Sequence, residues 1–418
     1  MRKLLLIPFL SLLAIHASLL SARGEIVDSI ASLRAAIDRA KPGDTITLKN
    51  GSYDVDESID ITRSGAKDRP VTIAAETVGG VELRGRQGIS IKEDASHIVI
   101  SGFKFFNAAG KTKIGVGAHH IRITRCVFEC PGGGPYLGVN GDDCEIDHNE
   151  FRNKSRKGNM ISVAGENGQV ARRAWIHHNY FHDFQKSPVS GETNGLETIR
   201  YGLSHLSMST GGGVIEHNLF VRCVGENELI SNKSCGNIYR HNTFLDSPGA
   251  QLTLRHGNDC VAEKNYFRNT AGLRIFGDRN KVIGNYLERN SNGINLGNGG
   301  GEVADGAKLT SHDRPDYNEI RQNILVENKS QYVMHRRSNG LGATHITFAE
   351  NVIIGGDVAA KLDGPYTNPT WGQNTVWKTK SIGDLPKDAV KQSDPGALTP
   401  GDAGIRVLTP ADVGPTAP

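Results

Sequence analysis

The sequence predicts an all-β fold: a single-stranded right-handed parallel β-helix with an N-terminal capping helix. Three observations predict it. A short motif recurs along much of the chain, the segments between its copies are rich in β-branched and aromatic residues, and the turns are rich in glycine and asparagine. Glycine accounts for 50 of the 418 residues, about twice its usual share. Such a repeat indicates a solenoid, in which each coil stacks on the previous one.

Residues 1–22 are predicted to be a signal peptide rather than part of the fold. Arg2 and Lys3 give a basic start, a mostly apolar run from Leu4 to Leu20 comes next, and small residues follow it. This order is typical of a secretory signal, so we expect a secreted or periplasmic protein. The later apolar runs are too short for a transmembrane helix, and the sequence therefore predicts no membrane span.

Residues 23–95 are predicted to form an N-terminal cap and the first coils. The segment 29–40 has apolar residues at helical spacing, at Ile30, Leu33 and Ile37, and Asp28 or Ser29 can cap its start. A helix placed before a series of short strands would cover the open end of the stack. It would hide strand edges that otherwise aggregate.

An asparagine followed by an apolar or aromatic pair marks each repeat from about residue 97 onward. The spacing between markers is in the low twenties, with some longer steps that predict loop insertions. Side chains at equivalent positions of stacked coils can form an amide ladder, and we assign that role to them. The markers are Asn149, Asn179, Asn218, Asn242, Asn265, Asn285, Asn323 and Asn351. The histidines that precede several of them are interpreted as structural: His148, His178, His217 and His241.

The repeat also sets the predicted domain organisation. Residues 96–370 are predicted to form the parallel β-helix catalytic domain. After Trp371 the marker is lost and proline becomes frequent. We therefore predict that residues 371–418 form an extended strap or cap on the same domain.

Alignment of four repeats, which start near positions 228, 251, 272 and 293, predicts which side chains face the interior. Two columns are apolar apart from one serine, so we expect them to face the core: Leu229, Leu252, Leu273 and Ile294, and then Ser231, Leu254, Ile275 and Leu296. The remaining positions should face outward on coils about 4.8 Å apart. They are Glu226, Glu228, Thr253, Arg255, Arg274 and Asn295.

This outward wall combines acids with bases. Glu226 and Glu228 are two residues apart and share one face of an extended strand. Two adjacent carboxylates repel each other unless a cation lies between them, and Ca²⁺ accepts carboxylate and amide oxygens. Lys233 could act as a base, and Arg255 follows on the next coil. Such a wall suits an acidic sugar polymer as its substrate.

A uronic acid polymer can be broken by β-elimination. A base removes the proton at C5, next to the carboxylate, and the C4 oxygen leaves. The C5 proton is barely acidic while the carboxylate is negative, and a cation on that carboxylate would stabilise the developing charge.

Three motifs resemble those of polysaccharide lyase family 6, which contains alginate lyases and chondroitinase B. The motifs occur in the family's order, and the resemblance covers most of the mature chain. They are Asn-Gly-Leu-Glu-Thr-Ile-Arg at 194–200, Glu-Asn-Glu-Leu-Ile-Ser-Asn-Lys-Ser at 226–234 and Leu-Arg-His-Gly-Asn at 254–258.

The resemblance implies a metal site and a catalytic pair. Asn194, Glu226 and Glu228 look like the ligands of a Ca²⁺ cofactor. Lys233 looks like the base, and Arg255 looks like its partner acid or charge stabiliser.

Three further residues are predicted to bind substrate. His256 looks like a substrate contact of the family. Arg200 is our addition because it closes the first motif. Arg274 could hold a substrate carboxylate through a bidentate contact, or it could stack on the wall.

The expected substrate is alginate, and the alternative within the family is dermatan sulfate. Sulfate groups would require more arginines along the wall, where Arg336 and Arg337 could contribute. A hydrolase on the same fold needs paired aspartates, and Asp142 and Asp143 fall in a predicted turn far from the wall. The Asp-Pro-His-Glu signature of mannuronan epimerases does not occur in the sequence. A non-catalytic polysaccharide-binding β-helix is the alternative of another class.

Composition bears on two further points. The net charge of +3 and the lack of long basic runs argue against nucleic acid as a partner. The six cysteines could form disulfides in an exported protein, or they could be small buried residues of the core. We favour the buried interpretation.

Overall fold

Three long parallel sheets run through the protein, and each coil contributes one strand to each sheet. The structure is a computed structural model that describes residues 23–416, so the predicted signal peptide lies outside the described residues. The fold is a right-handed parallel β-helix, as the sequence predicts. Its interior is a continuous hydrophobic core that extends from Val27 to Leu385.

Sheet A has 14 strands, and strands that are neighbours in this sheet come from successive coils of the chain. Its strands are Gly24–Val27, Thr45–Leu48, Val71–Ala75, Ser96–Ser101, His119–Thr124, Glu145–Asp147, Trp175–His177, Val214–Glu216, Ile238–Arg240, Val261–Glu263, Lys281–Ile283, Glu319–Arg321, Thr347–Ala349 and Thr370–Trp371.

Sheet B also has 14 strands, and the C-terminal segment crosses it. Its strands are Gly51–Asp54, Val81–Arg84, Phe103–Phe105, Val127–Phe128, Glu150–Lys154, Tyr180–Phe184, Leu219–Cys223, Thr243–Leu245, Tyr266–Arg268, Tyr286–Glu288, Ile324–Val326, Val352–Ile354, Asn374–Trp377 and Val390–Gln392.

Sheet C has 13 strands and carries most of the predicted site residues. Its strands are Ile59–Ile61, Ile89–Ile91, Lys113–Ile114, Leu137–Val139, Ile161–Val163, Ile199–Tyr201, Glu228–Lys233, Gln251–His256, Leu273–Ile275, Ile294–Leu296, Tyr332–Met334, Val358–Leu362 and Ser381–Gly383.

The predicted capping helix is present as Ile30–Arg39. Ser29 forms a capping box with Ser32, which satisfies backbone donors at the helix start. Leu33, Ala36 and Ile37 are buried against the first strands. The remaining short elements are the 3₁₀ helices Ser204–Leu206, Lys387–Ala389 and Pro400–Ala403 and two small strand pairs, Gly165–Glu166 with Gln169–Val170 and Ala343–Thr344 with Tyr366–Thr367.

The predicted asparagine ladder is confirmed. Each marker asparagine is buried and donates its side-chain amide to the side-chain oxygen of the next marker, from Asn149 to Asn179 at 3.0 Å and on to Asn351. The ladder continues one coil further, to Asn374. It satisfies buried backbone groups at every turn, because each amide also contacts main-chain atoms.

The histidines before the markers stack on one another outside this ladder. The centroids of successive rings are 5.0–5.1 Å apart along the series His148, His178, His217 and His241. All four residues have positive φ. This arrangement agrees with the structural role that the sequence predicts for them.

The last residues form an extended segment, residues 398–415, which we call the strap. Leu398 accepts a hydrogen bond from Tyr286, Ala403 accepts one from Lys264, and Gly414 donates one to His178. Leu408 and Val413 pack on the outer face of sheet B. The strands of the three sheets continue to Val390–Gln392, so the coils extend past the boundary at residue 370 that the sequence predicts.

All six cysteines are free thiols, and no disulfide occurs among residues 23–416. Five of them are buried, and Cys235 is half-buried. The prediction that they are small core residues therefore agrees with the structure. The described helices, the longest of which has 10 residues, are too short or too polar to span a membrane.

Candidate active site

Two β-bulges interrupt sheet C where the predicted site lies. Between the strands Glu228–Lys233 and Gln251–His256 the register shifts once after Glu228 and again after Asn232. Leu229 is the extra residue at the first shift, and Arg255 is the extra residue at the second. Bulges re-aim side chains and often occur next to active sites.

The first bulge corrects the alignment that the sequence predicts. Ile230, not Leu229, pairs with Leu252, and Ser231 pairs with Thr253 in the outward column. The prediction that Ser231 faces the core is therefore wrong. The extra residue reverses the alternation of side chains, so Leu229 and Ile230 are both in the core while Ser231 turns toward the acids.

Glu228 is the buried centre of the site. Its side chain is 1% exposed, and one carboxylate oxygen accepts hydrogen bonds from Arg255 at 3.0 Å and Arg274 at 2.5 Å. The other oxygen accepts a hydrogen bond from Ser231. Burial opposes ionisation, but the two guanidinium groups outweigh it and hold the pKa of Glu228 below its ordinary value.

Glu226 lies in the opposite electrostatic environment. Burial raises its pKa to about 7, and the nearby carboxylates of Glu197 and Glu228 add to this effect. The backbone N–H of Leu196 donates a hydrogen bond to the Glu226 carboxylate, at 3.2 Å. Gly225 permits this close approach, because a side chain there would place its Cβ 2.4 Å from the carbonyl oxygen of Leu196.

Three carboxylates therefore converge, from Glu197, Glu226 and Glu228, each with an oxygen atom within 4.8 Å of the others. Asn194 is exposed and lines the same cleft as Glu226. Carboxylate and amide oxygens are the donors that hard divalent cations prefer. Burial and the neighbouring carboxylates together disfavour the charged form of Glu226 and raise its pKa. The donor set fits a divalent cation.

Lys233 lies at the end of the same strand, beside the acidic cluster. Its Nζ is 3.2 Å from Oε1 of Glu197, and its side chain is 11% exposed. Asn159 donates to the other oxygen of Glu197 and to its backbone carbonyl, which fixes that carboxylate in place. The amine is thus oriented while it remains accessible from the cleft.

The three predicted substrate-binding residues lie in different surroundings. Arg200 donates to Ser162 and lines the cleft. Arg274 is largely engaged with Glu228, and its guanidinium lies over the ring of Phe276. His256 is buried and packs against the ring of His312, with 5.1 Å between centroids.

A cleft of about 460 Å³ joins most of these groups. It is lined by Lys157, Asn194, Gly195, Glu197, Arg200, Glu226, Lys233 and Arg255. A second hollow of about 580 Å³ adjoins it through Asn194 and Glu226, under residues 186–193. Of the predicted site residues, Glu228, Arg274 and His256 lie behind the wall of the cleft rather than in its lining.

The sequence analysis missed Glu197 as a site residue. It lies within the first motif, three residues after Asn194, but it precedes the strand Ile199–Tyr201 and shows no acidic partner in sequence. Pairing of this strand with Glu228–Lys233 brings Glu197 beside Glu226. The signal that could have found it is its place in a motif already assigned to a metal and a base.

A family model, described as chondroitinase B, matches residues 27–332. This range contains all three motifs and every site residue described above. The chain therefore belongs to the chondroitinase B family. Solved structures that resemble this chain include members of polysaccharide lyase family 6.

Solved structures of that family share this fold. The polysaccharide lyase family 6 alginate lyase AlyGC superposes with a TM-score of 0.76 at 26% identity, over 89% of this chain and 53% of AlyGC. This chain thus spans about half the length of that relative. A mannuronic acid specific family 6 lyase from human gut microbiota gives a TM-score of 0.75 at 23% identity, over 94% and 96% of the two chains.

A third comparison shows likeness of fold alone. The A-module of an Azotobacter vinelandii mannuronan C-5 epimerase gives a TM-score of 0.51 at 13% identity, over 89% of this chain and 98% of that one. A search of curated protein sequences found no match.

Proposed function

We propose that this protein is a polysaccharide lyase that cleaves an acidic uronate polymer, namely alginate, by calcium-assisted β-elimination, and that it releases unsaturated oligosaccharides. The observation that carries the proposal is the placement of Lys233 in an open cleft. There its amine contacts Glu197, one of three converging carboxylates, and Lys233 shares the lining of the cleft with Arg255. Glu228 accepts a hydrogen bond from Arg255 and so holds that arginine in the wall.

Lys233 is the proposed base. Its neutral amine would take the C5 proton of a uronate residue that lies along the cleft. Glu197 and Asn159 orient the amine before reaction, through the contacts at 3.2 Å and 2.8 Å. Arg255 is the proposed partner, because its guanidinium can stabilise negative charge on the leaving C4 oxygen or assist delivery of a proton to it.

Asn194, Glu226 and Glu228 are the proposed calcium ligands, and Glu197 joins them on the geometry of the cluster. Calcium, when bound, would neutralise the substrate carboxylate and make the C5 proton more acidic. Glu228 also neutralises part of the charge of Arg255 and Arg274. The acidic residues thus balance charge, whereas Lys233 transfers the proton.

Arg200, Arg274 and His256 are the proposed substrate-binding residues. Arg200 has its guanidinium in the cleft, where it can meet a uronate carboxylate. His256 and Arg274 contribute mainly by supporting the wall, since both are largely covered in the described residues. We further propose that the protein is exported to the periplasm or secreted, where such a polymer would be met.

Dermatan sulfate is the second candidate substrate, favoured by the description of the matching family model. Alginate is favoured by AlyGC, which is an alginate lyase. The cleft lining contains two arginines, Arg200 and Arg255, which suits a plain polyuronate better than a densely sulfated chain. A polysaccharide-binding β-helix without activity would keep the cleft but would not need an oriented amine.

The test follows the ultraviolet absorbance of the unsaturated product on alginate and on dermatan sulfate, with and without a calcium chelator. We expect absorbance to rise on alginate, to depend on calcium and to vanish in Lys233→Ala. An absorbance that rises on dermatan sulfate alone would identify dermatan sulfate, and not alginate, as the substrate. A folded, calcium-loaded protein that acts on neither polymer would refute the lyase proposal and favour the binding protein.

A further inference from the structure

Three histidines meet on the surface at the start of two successive strands of sheet A. His97 lies in the strand Ser96–Ser101, and His119 and His120 begin the strand His119–Thr124. His97 and His120 both have φ of 55°, in the left-handed region, and this conformation brings their rings together. The ring centroids of His97 lie 4.8 Å from His120 and 6.0 Å from His119.

These imidazoles have few polar partners apart from one another. Nδ1 of His119 lies 2.8 Å from Nδ1 of His120, and within residues 23–416 this is the one hydrogen bond of the three rings. Some other histidines near the surface contact a carboxylate instead. Examples are His148 with Asp147 and His345 with Asp316.

The surroundings of His97 favour the neutral form of its ring. Partial burial lowers the pKa of His97, and the neighbouring His120 and His119 lower it further. Asp68 and Lys67 act on His97 in opposite directions. On the other side, Asp143 is engaged by Arg173. A neutral ring of His97 keeps a lone pair available for a ligand.

Each histidine offers a ring nitrogen that lies within 4.8 Å of the other two. A zinc ion about 2.0–2.1 Å from each of three imidazoles, in tetrahedral geometry, requires nitrogen separations of about 3.4 Å. His119 and His120 are already closer than that, and small side-chain rotations would bring the third nitrogen in. Imidazole suits zinc, copper and nickel, whereas Ca²⁺ requires oxygen ligands.

We propose that His97, His119 and His120 form a binding site for a divalent transition metal ion of the zinc class, with three nitrogen ligands and one open position. The site lies on sheet A, whereas the catalytic cleft lies on sheet C and on later coils. It joins two successive coils, so the ion would stabilise the early part of the β-helix. It would do so independently of the proposed lyase reaction.

The test uses the full mature protein without a histidine tag, because a tag would bind the same metals. The protein is stripped with chelator, supplied with excess Ca²⁺ to occupy the acidic cluster, and titrated with Zn²⁺ by calorimetry. Co²⁺ provides a second readout, since its visible absorption reports coordination geometry and ligand type. His97→Asn and His120→Asn are the test variants, and His345→Asn is the matched control.

We expect one Zn²⁺ per chain, affinity reduced at least tenfold in His97→Asn and His120→Asn, and affinity unchanged in His345→Asn. Zinc should also raise the unfolding temperature of the parent protein and of the control, but not of the two test variants. The proposal is overturned if zinc fails to bind, or if the test variants bind it as tightly as the control. It is equally overturned if Glu226→Gln, rather than a histidine change, abolishes binding. Circular dichroism of each variant verifies the fold.

Discussion

Glu226 and Glu228 are two residues apart, yet their surroundings affect ionisation in opposite ways. Glu228 has two guanidinium groups and a hydroxyl on its carboxylate, and its pKa is lowered. Glu226 has other carboxylates as neighbours, and its pKa rises to about 7. Within one short sequence motif, Glu228 is therefore neutralised by two arginines, whereas Glu226 lies among other carboxylates.

This contrast predicts opposite effects of two matched variants in the presence of chelator. Glu228→Gln should lower the free energy of unfolding by about 3 kcal/mol, because it leaves Arg255 and Arg274 without their buried carboxylate. Glu226→Gln should leave stability unchanged or raise it at pH 8, because it removes an unfavourable charge. Urea unfolding measures both, and equal losses in the two variants would contradict the assignment.

The same residues predict how pH affects stability without calcium. The folded-state pKa of Glu226, about 7, lies above its ordinary value, so the native state binds more protons than the unfolded state between about pH 4.5 and 7. Its contribution to stability is complete below this window and is lost as the pH rises through 7. Urea titrations at pH 5 and pH 8 should show the loss in the parent protein and a smaller one in Glu226→Gln.

Lys233 carries the sharpest prediction for activity. Lys233→Ala should reduce kcat on the substrate by at least about 100-fold, because general base catalysis contributes on that order. The fold should remain, since the Glu197 carboxylate keeps its hydrogen bond from Asn159. Lys380→Ala, at an exposed lysine paired with Asp357, is the control and should keep full activity. Retained turnover in Lys233→Ala would assign the base elsewhere.

At the scale of elements, the two bulges and one buried asparagine shape the site. Asn232 lies between the register shifts and donates to the backbone oxygens of Ser234 and His256 at 3.0 Å and 2.9 Å. Its own oxygen accepts from Asn237 and Tyr239. It thereby fixes the course of the two strands that carry Lys233, Arg255 and His256.

Asn232→Leu should therefore lower kcat by about tenfold or more while the KM changes little, because it displaces Lys233 and Arg255 without touching substrate. The control is Asn285→Leu, which removes a comparable set of buried side-chain hydrogen bonds from the ladder. Both variants should lose about 2–3 kcal/mol of stability. An equal loss of kcat in the two, measured well below their unfolding temperatures, would argue against a positioning role.

The elements also show what the sequence could and could not predict. The ladder could be predicted because one asparagine recurs in every coil and must stack on the next. The bulge at Leu229 could not, because Leu229 is as apolar as Ile230 and alternation alone does not reveal an inserted residue. Glu197 was missed for a similar reason, since its acidic neighbours come from the next coil and not from its own segment.

At the scale of the whole molecule, the site and the strap occupy different sheets. The cleft opens on sheet C, whereas the strap packs on the outer face of sheet B, from Tyr286 back to His178. Substitutions in the strap should therefore lower the free energy of unfolding without lowering the activity of the cleft.

Leu408→Ala tests this separation. Leu408 is 5% exposed and packs on Leu219 and Val221, so its truncation should cost about 3 kcal/mol of stability. Activity at low temperature should match that of the parent protein. Arg406→Ala is the control, because its ion pair with Asp412 is exposed and should contribute less than about 1 kcal/mol. Loss of kcat in folded Leu408→Ala would show that the strap influences the cleft.

The unpaired cysteines determine how the folded protein responds to oxidising and reducing conditions. A thiol attacks a disulfide as its thiolate, and burial raises the pKa of Cys126, Cys130, Cys144, Cys223 and Cys260 to about 12. These sulfurs therefore stay protonated and unreactive in the native state at neutral pH. The folded protein has no disulfide among residues 23–416, so its melting curve should be the same with and without dithiothreitol.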